Sequence, residues 1–141
     1  ALSRAGAAVI PHAWEERLGE AVTSALAPES KRCVDPQLKR ATEAVLQRVL
    51  SGAPASPYSF QLIVTDTPIV NAFAAPGGRI VVMRGLLQRM QSPEELAGVL
   101  SHEVQHVLRK HATRAMLGQL SSQVLVGAIT GGNGGLSEGL Q

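Results

Sequence analysis

The residues best suited to chemistry in this sequence lie in the run SHEVQH, residues 101–106. Two histidines four positions apart lie one turn apart on the same helix face, so both imidazole rings could reach one zinc ion at about 2.0 to 2.1 Å. The glutamate beside them could take the proton of a water that attacks a peptide carbonyl. The alternative is a solvated helix flank with a glutamate–histidine contact, because so short a pattern also arises by chance.

The sequence around this run predicts a well-defined helix from residue 92 to about residue 110. Ser92 can cap the helix, Pro93 suits the first helical position, and Glu95 completes a capping box. On a helical projection the apolar residues form one stripe, with both histidines on its flank and Glu103 inside it. A carboxylate in a buried stripe is costly unless a cation meets it. This position favours the metal site over the solvated flank.

A catalytic zinc of this type needs a third protein ligand, and the other candidates in the sequence suit that role poorly. Glu95 would lie about 10 Å from His102 along the helix axis. His111 would project about half a turn away from His102 on a continuous helix, which predicts that it points elsewhere, supporting the site from outside or lying at the surface. His12 is remote in sequence, and Glu138 stands in a glycine-rich tail. The third ligand is therefore expected outside these 141 residues.

The elements that must position the motif can be predicted from hydrophobic periodicity and breaker residues. The predicted helices cover residues 12–27, 37–50, 85–90, 92–110 and 113–129, the last followed by a GGNGG hinge at 131–135. The predicted strands cover residues 58–65, 69–75 and 79–83. Pro76-Gly77-Gly78 predicts a hairpin turn between the last two strands. The order of helices, a small sheet and further helices indicates the α+β class.

Composition limits the classes of protein to which the chain could belong. Its 141 residues, 45% hydrophobic and 17% charged, suit a single globular domain. Two Phe, one Trp, one Tyr and the lack of a dense basic run make nucleic acid an unexpected partner. Cys33 is the single cysteine, which excludes an internal disulfide. The sequence shows no apolar stretch of about 18 residues, so no membrane span is expected, and no signal peptide is visible.

Two stretches, NAFAAPGGRIVVMRGLL (71–87) and SPEELAGVLSHEVQHVLRKH (92–111), resemble the metallopeptidase family that contains HtpX, BepA and the CAAX prenyl proteases. The resemblance implies a zincin-like fold, with a small mixed sheet, an edge hairpin and a long active-site helix. It also implies a gluzincin site holding one Zn²⁺ per chain, with His102 and His106 as ligands and Glu103 as the general base. The third ligand in such proteins is a glutamate of a later Glu-x-x-Ala-Asp motif, which has no match here. Residues 1–141 are therefore expected to be one metallopeptidase domain that forms the front part of a longer catalytic domain.

The family resemblance implies a zinc-dependent endopeptidase of protein quality control in the bacterial periplasm or cell envelope, acting on unfolded or misfolded proteins. Asn71, Ala72, Phe73 and Ala74 of the predicted edge strand would bind substrate backbone by strand addition. A plain structural hairpin is the alternative for that segment. For the whole chain, the alternatives are a chaperone-like or binding module without turnover and a structural helical domain with an accidental motif.

Overall fold

The computed structural model describes residues 10–119. This part of the chain forms five α-helices, one 3-10 turn and a three-stranded sheet, which confirms the predicted α+β class. The elements are α1 (His12–Leu26), the 3-10 turn (Glu29–Lys31), α2 (Pro36–Ser51), β1 (Gln61–Thr65), β2 (Ala72–Ala75), β3 (Arg79–Met83), α3 (Arg84–Arg89), α4 (Pro93–Leu108) and α5 (His111–Gln119). None of these helices is long and apolar enough to cross a membrane. The predicted end of the last helix, the GGNGG hinge and Glu138 lie outside the described residues.

The sheet is mixed, with β3 in the centre, β1 parallel to it and β2 antiparallel to it. The outer edge of β1 is covered by the chain just before α2. There the Cys33 amide donates to the Val64 carbonyl at 2.8 Å, and the Asp66 amide donates to the Lys31 carbonyl at 2.7 Å. A sheet edge with unpaired backbone groups can pair with a further strand, and the covering segment prevents such pairing at β1. Strand β2 therefore forms the other edge of the sheet in the described part of the chain.

Two strands are shorter than predicted, because the chain leaves the sheet to make other contacts. The strand predicted from residue 58 begins at Gln61, and Tyr58 instead directs its hydroxyl to Glu15 at 2.9 Å. The strand predicted from residue 69 begins at Ala72. Before it, residues 66–70 pass over the start of α3, where the Gly85 amide donates to the Thr67 carbonyl at 3.0 Å. The third strand matches its predicted bounds.

The main core lies between one face of the sheet and helices α2 and α4. Alternation along β3 turns Ile80 and Val82 toward this core and Val81 toward the opposite face. The buried members of the main core are Leu46, Ile80, Val82, Leu96, Leu100 and Val104. Phe73 of β2 packs with Val81 on the opposite face. Helix α4 is thus fixed against the sheet by its apolar stripe, which leaves its flank free for the motif.

The helical spacing predicts that Trp14, Leu18, Val22 and Leu26 share the buried face of α1, and of these four residues only Leu18 is buried. Trp14 is 42% exposed and Leu26 is 55% exposed, whereas Glu15, Leu18, Gly19 and Thr23 are buried. The partner of this face is the backbone of the β2–β3 hairpin, which needs small residues rather than large apolar ones. A Cβ atom on Gly19 would lie 1.9 Å from the Pro76 carbonyl oxygen. Close backbone packing at Gly19 therefore acts together with the burial of Leu18 to orient α1.

Candidate metal centre

The N-terminus of α4 begins as its capping residues predict. The Ser92 hydroxyl accepts the Glu95 amide at 3.3 Å, and the Glu95 carboxylate accepts the Gln91 amide at 3.0 Å. The reciprocal bond thus reaches one residue further back than in the usual capping box. A carboxylate near a helix N-terminus is also favoured by the helix dipole. The Glu95 side chain thus caps the start of α4, in agreement with the expectation that it is not a metal ligand.

The motif lies on α4 as the projection predicted, at the border of the buried stripe. Glu103 is 7% exposed, His106 is partly buried and His102 is exposed. Leu100, Val104 and Val107 are buried on either side of the glutamate along the helix. Because these apolar side chains fix the helix on the core, they also fix the direction in which the two histidines project.

The histidine side chains converge on one point. Nε2 of His102 lies 2.9 Å from Nε2 of His106, and the two rings meet edge to face with centroids 4.4 Å apart. Two nitrogens bound at about 2.0 to 2.1 Å to one zinc ion at a tetrahedral angle lie about 3.3 Å apart, so the rings need to separate by only a few tenths of an ångström to share an ion. One ligand atom from each of His102, Glu103 and His106 lies within 4.8 Å of the other two. The two imidazoles are donors that suit zinc, and the carboxylate lies beside them.

Burial perturbs the carboxyl group of the motif. Desolvation raises the pKa of Glu103 above its ordinary value, while positive charge on His106 and then on His102 opposes the rise. A carboxylate with a raised pKa is a stronger base than an exposed one, which suits a group that must accept a proton from water. The environment of Glu103 is thus compatible with the role of a general base.

The predicted direction of His111 is wrong with respect to His106, whereas the prediction that it supports the site from outside or lies at the surface agrees with its exposed position. Helix α4 ends at Leu108, and Lys110 adopts a left-handed conformation with φ of 57°. Helix α5 then begins at His111, whose Nδ1 lies 2.6 Å from Nδ1 of His106. The projection failed because it continued the helix past a turn that lacks the usual glycine signal. His111 remains exposed, and its pKa is lowered, first by desolvation and then by the neighbouring positive charge of His106.

A buried cluster around Glu15 holds this turn, and sequence reasoning missed it. Glu15 is 1% exposed. Its Oε1 accepts from the Tyr58 hydroxyl at 2.9 Å and from Lys110 Nζ at 3.1 Å, and its Oε2 accepts from the Thr113 hydroxyl at 2.8 Å. Burial raises the pKa of Tyr58, and the hydrogen bond and charge of Glu15 raise it further. No local pattern in α1 distinguishes Glu15 from its exposed neighbours, so only the fold reveals it.

His12, remote from the motif in sequence, does not belong to the group of described residues that could hold a metal. Its Nε2 lies 3.2 Å from Glu16 Oε1, one turn along α1, and its ring packs on Tyr58 with centroids 5.1 Å apart. Both contacts belong to the side of the molecule that carries the Glu15 cluster. His12 therefore contacts the Glu15 cluster rather than the histidines of α4 and α5.

A cleft of about 740 Å³ lies beside the motif, and part of the predicted substrate strand lines it. Asn71 and Ala72 form one wall, opposite His102 and Glu103. The Asn71 carbonyl accepts the Met83 amide at 3.1 Å, so Asn71 is hydrogen-bonded to β3. In an antiparallel pair the backbone groups of alternate residues point to opposite sides, so those of Ala72 and Ala74 point away from β3. The Asn71 side chain covers one of these groups, since its Oδ1 accepts the Ala72 amide at 2.8 Å.

The two remaining members of the predicted substrate strand behave differently. Ala74 follows Ala72 in the alternation, and its backbone groups also face away from β3. Phe73 pairs with Val81 and packs on the sheet face opposite α4. The structure thus brings Asn71 and Ala72 to the cleft, whereas Ala74 does not line it and the Phe73 side chain packs behind the strand.

Comparison with known proteins assigns the chain to a family. Peptidase family M48 matches residues 33–139. The beta-barrel assembly-enhancing protease of Escherichia coli (strain K12) is 33% identical over 119 residues, 82% of this chain and 24% of that protein. The mitochondrial metalloendopeptidase OMA1 of Arabidopsis thaliana is 40% identical over 67 residues, 48% of this chain and 14% of that protein. The chain thus spans about a quarter or less of the length of these relatives. The predicted resemblance is confirmed, and the chain belongs to peptidase family M48, a family of metallopeptidases.

Proposed function

We propose that this chain is the front part of the catalytic domain of a zinc-dependent endopeptidase. His102 and His106 are the zinc ligands, Glu103 is the general base, and each chain holds one Zn²⁺. The observation that carries this proposal is the 2.9 Å separation of the two histidine Nε2 atoms beside a buried glutamate, in a chain of a metallopeptidase family. The third ligand is a glutamate outside these 141 residues, in keeping with relatives that are several times longer.

The residues of the motif divide the chemistry of peptide hydrolysis between them. When bound, zinc would act as a Lewis acid toward the peptide carbonyl and the attacking water. His102 and His106 hold and orient that site through their Nε2 atoms. Glu103 takes the proton from the attacking water and then delivers it to the leaving amine, so a peptide bond is broken and one water is consumed. Its raised pKa suits both transfers.

Strand β2 binds the substrate beside these residues. An extended peptide would add to the open edge of the sheet through the outward backbone groups of Ala72 and Ala74. Asn71 would release the Ala72 amide to the incoming chain, and Phe73 would hold the strand in place from the opposite face. Recognition through backbone groups reads sequence loosely, which suits unfolded or misfolded protein substrates.

The bacterial relative supports a role in the cell envelope, and the mitochondrial relative supports the endopeptidase activity. The similar Escherichia coli protein is named for beta-barrel assembly, and the similar Arabidopsis thaliana protein is a mitochondrial metalloendopeptidase. We therefore extend the proposal to protein quality control in the periplasm or envelope. Cleavage of unfolded protein, rather than of one fixed sequence, is the activity expected there.

Two variants of the full-length protein test the mechanism. Glu103→Gln keeps the shape of the side chain but cannot accept the proton of water, so zinc content should stay near one per chain while cleavage of an unfolded protein falls at least 10²- to 10⁴-fold. His106→Ala removes a ligand, so both zinc and activity should be lost. Gln105→Ala, an exposed neighbour on the same helix, is the matched control and should retain both. Near-normal cleavage by Glu103→Gln would exclude this mechanism and favour a binding module without turnover.

A further inference from the structure

One zinc ligand of the proposed site contacts a histidine that lies outside the His-Glu-x-x-His motif. His106 directs its Nε2 toward His102 and its Nδ1 toward Nδ1 of His111, at 2.9 Å and 2.6 Å respectively. A neutral imidazole that offers the lone pair of Nε2 to a metal must carry its proton on Nδ1. The Nδ1–H of His106 is then a hydrogen-bond donor, and the ring nitrogen of His111 lies in position to accept it.

We propose that His111 is a positioning residue for His106. Its Nδ1 accepts the Nδ1–H of His106, which fixes both the tautomer and the ring orientation that leave Nε2 free to bind the ion. This inference rests on the proposed zinc site. Metal-binding histidines usually donate their second ring N–H to a fixed acceptor, and loss of that acceptor typically weakens metal binding 10- to 100-fold.

The fold, rather than the metal, holds His111 in place. The turn between α4 and α5 depends on Lys110, whose left-handed conformation is unfavourable for a residue with a Cβ atom. Lys110 Nζ and the Thr113 hydroxyl both bond to the carboxylate of Glu15, on either side of His111 in sequence. Since Glu15 is buried in α1, these contacts anchor the turn to the body of the domain. The acceptor for His106 is therefore in position before any ion binds.

The geometry separates this role from direct coordination by His111. The contact uses the Nδ1 side of the His106 ring, whereas the shared site with His102 uses the Nε2 side. Within residues 10–119, the group that could hold a metal comprises His102, Glu103 and His106, without His111. His111 thus acts on the ion through His106.

The test uses zinc affinity, measured by competition with a chromophoric chelator on the full-length protein. His111→Ala removes the acceptor and should weaken zinc binding about 10- to 100-fold. His111→Asn should restore the affinity to within about threefold of wild type, because the asparagine Oδ1 takes nearly the position of the histidine Nδ1 and accepts the same hydrogen bond. Gln105→Ala serves as the surface control, and thermal unfolding of the zinc-free variants checks that each is folded.

Each outcome supports or overturns the inference. Weak binding by His111→Ala together with rescue by His111→Asn supports a hydrogen-bond acceptor. Affinity of His111→Ala within about twofold of wild type would overturn the positioning role while leaving the His102–His106 site intact. An equal loss of zinc affinity in His111→Ala and His111→Asn would also overturn the positioning role, because the asparagine side chain supplies the hydrogen-bond acceptor and should restore the affinity. If His106→Ala binds zinc as tightly as wild type, the proposed site itself is wrong and this inference falls with it.

Discussion

Glu15 is 1% exposed, and its two carboxylate oxygens accept three hydrogen bonds from two distant parts of the chain. A buried carboxylate is unfavourable unless such partners compensate its lost hydration. Here the partners are the hydroxyl of Tyr58, the ammonium of Lys110 and the hydroxyl of Thr113. At the residue scale, one side chain therefore connects the linker before the sheet, helix α1 and the turn beside the metal centre.

This cluster makes stability depend on pH in the alkaline range. Because the folded pKa of Tyr58 lies above its ordinary value near 10, the neutral phenol stabilises the fold fully below about pH 10, and this contribution is lost as pH rises further. Above that pH, the unfolding free energy of wild type should fall more steeply than that of Tyr58→Phe. The excess slope is at most about 1.4 kcal/mol per pH unit and is reduced by the partial exposure of the ring. Urea unfolding of both proteins near pH 8, 10 and 11 gives the unfolding free energy at each pH. An equal pH dependence of this free energy in wild type and Tyr58→Phe would contradict the prediction.

At the scale of the elements, α1 and α4 each contain an interior glycine, and the two glycines have opposite surroundings. A Cβ on Gly19 of α1 would lie 1.9 Å from the Pro76 carbonyl oxygen of the hairpin turn, whereas a Cβ on Gly98 of α4 would meet nothing within 4 Å. Alanine normally stabilises a helix interior relative to glycine by about 0.5 to 1 kcal/mol. The tertiary contact, rather than helix propensity, should therefore decide the effect of the substitution in α1.

We expect Gly19→Ala to lower the free energy of unfolding by about 2 kcal/mol or more, because the hairpin turn must move away from α1. Gly98→Ala is the matched control and should raise it by about 0.5 to 1 kcal/mol. Chemical denaturation of both variants at one pH measures the difference. Stabilisation by Gly19→Ala would show that the hairpin does not pack on α1 at this position.

Strand β2 can be tested as a substrate-binding edge with a proline. Ala74→Pro removes an outward amide and leaves the bonds to β3 in place, and proline is tolerated where an edge strand faces outward. We expect kcat/KM for an unfolded substrate to fall about tenfold, the worth of one backbone hydrogen bond, with unchanged zinc content. Phe73→Pro is the contrasting variant, because it breaks a bond within the sheet and should instead reduce stability. Full activity of Ala74→Pro would favour the plain structural hairpin.

At the scale of the whole molecule, the chain spans 24% of one relative and 14% of another. It supplies two histidines and a general base for the proposed site, but a catalytic zinc of this type uses three protein ligands. An ion held by two ligands is positioned loosely and keeps more water. The proposed site therefore needs one protein ligand in addition to the two histidines.

Residues 1–141 expressed alone should accordingly bind zinc more weakly than the full-length protein and cleave unfolded protein poorly, because one ligand is missing. The dissociation constants for zinc and the cleavage rates of the two proteins, measured side by side, provide the comparison. Tight stoichiometric zinc with robust proteolysis by residues 1–141 would contradict this prediction. It would also make Glu138 the leading candidate for the third ligand.

The features that the sequence determined by itself are those that depend on near neighbours in the chain. The cap of α4 at Ser92, the one-turn spacing of His102 and His106, and the Pro76-Gly77-Gly78 hairpin follow from local geometry, and the structure contains all three. The position of Glu103 inside the apolar stripe also followed from the helical period. Family membership depended on the same local motifs in their order.

Tertiary structure decided the features that join distant parts of the chain. Glu15 and Lys110 lie 95 positions apart, and no local pattern could indicate that one would neutralise the other. The hairpin backbone approaches α1 so closely that it requires a glycine at position 19, which the helical pattern of α1 does not indicate. The return of His111 to His106 depends on a left-handed lysine that is held by the buried carboxylate of Glu15. Local preference opposes that conformation, so only contacts made after folding could select it.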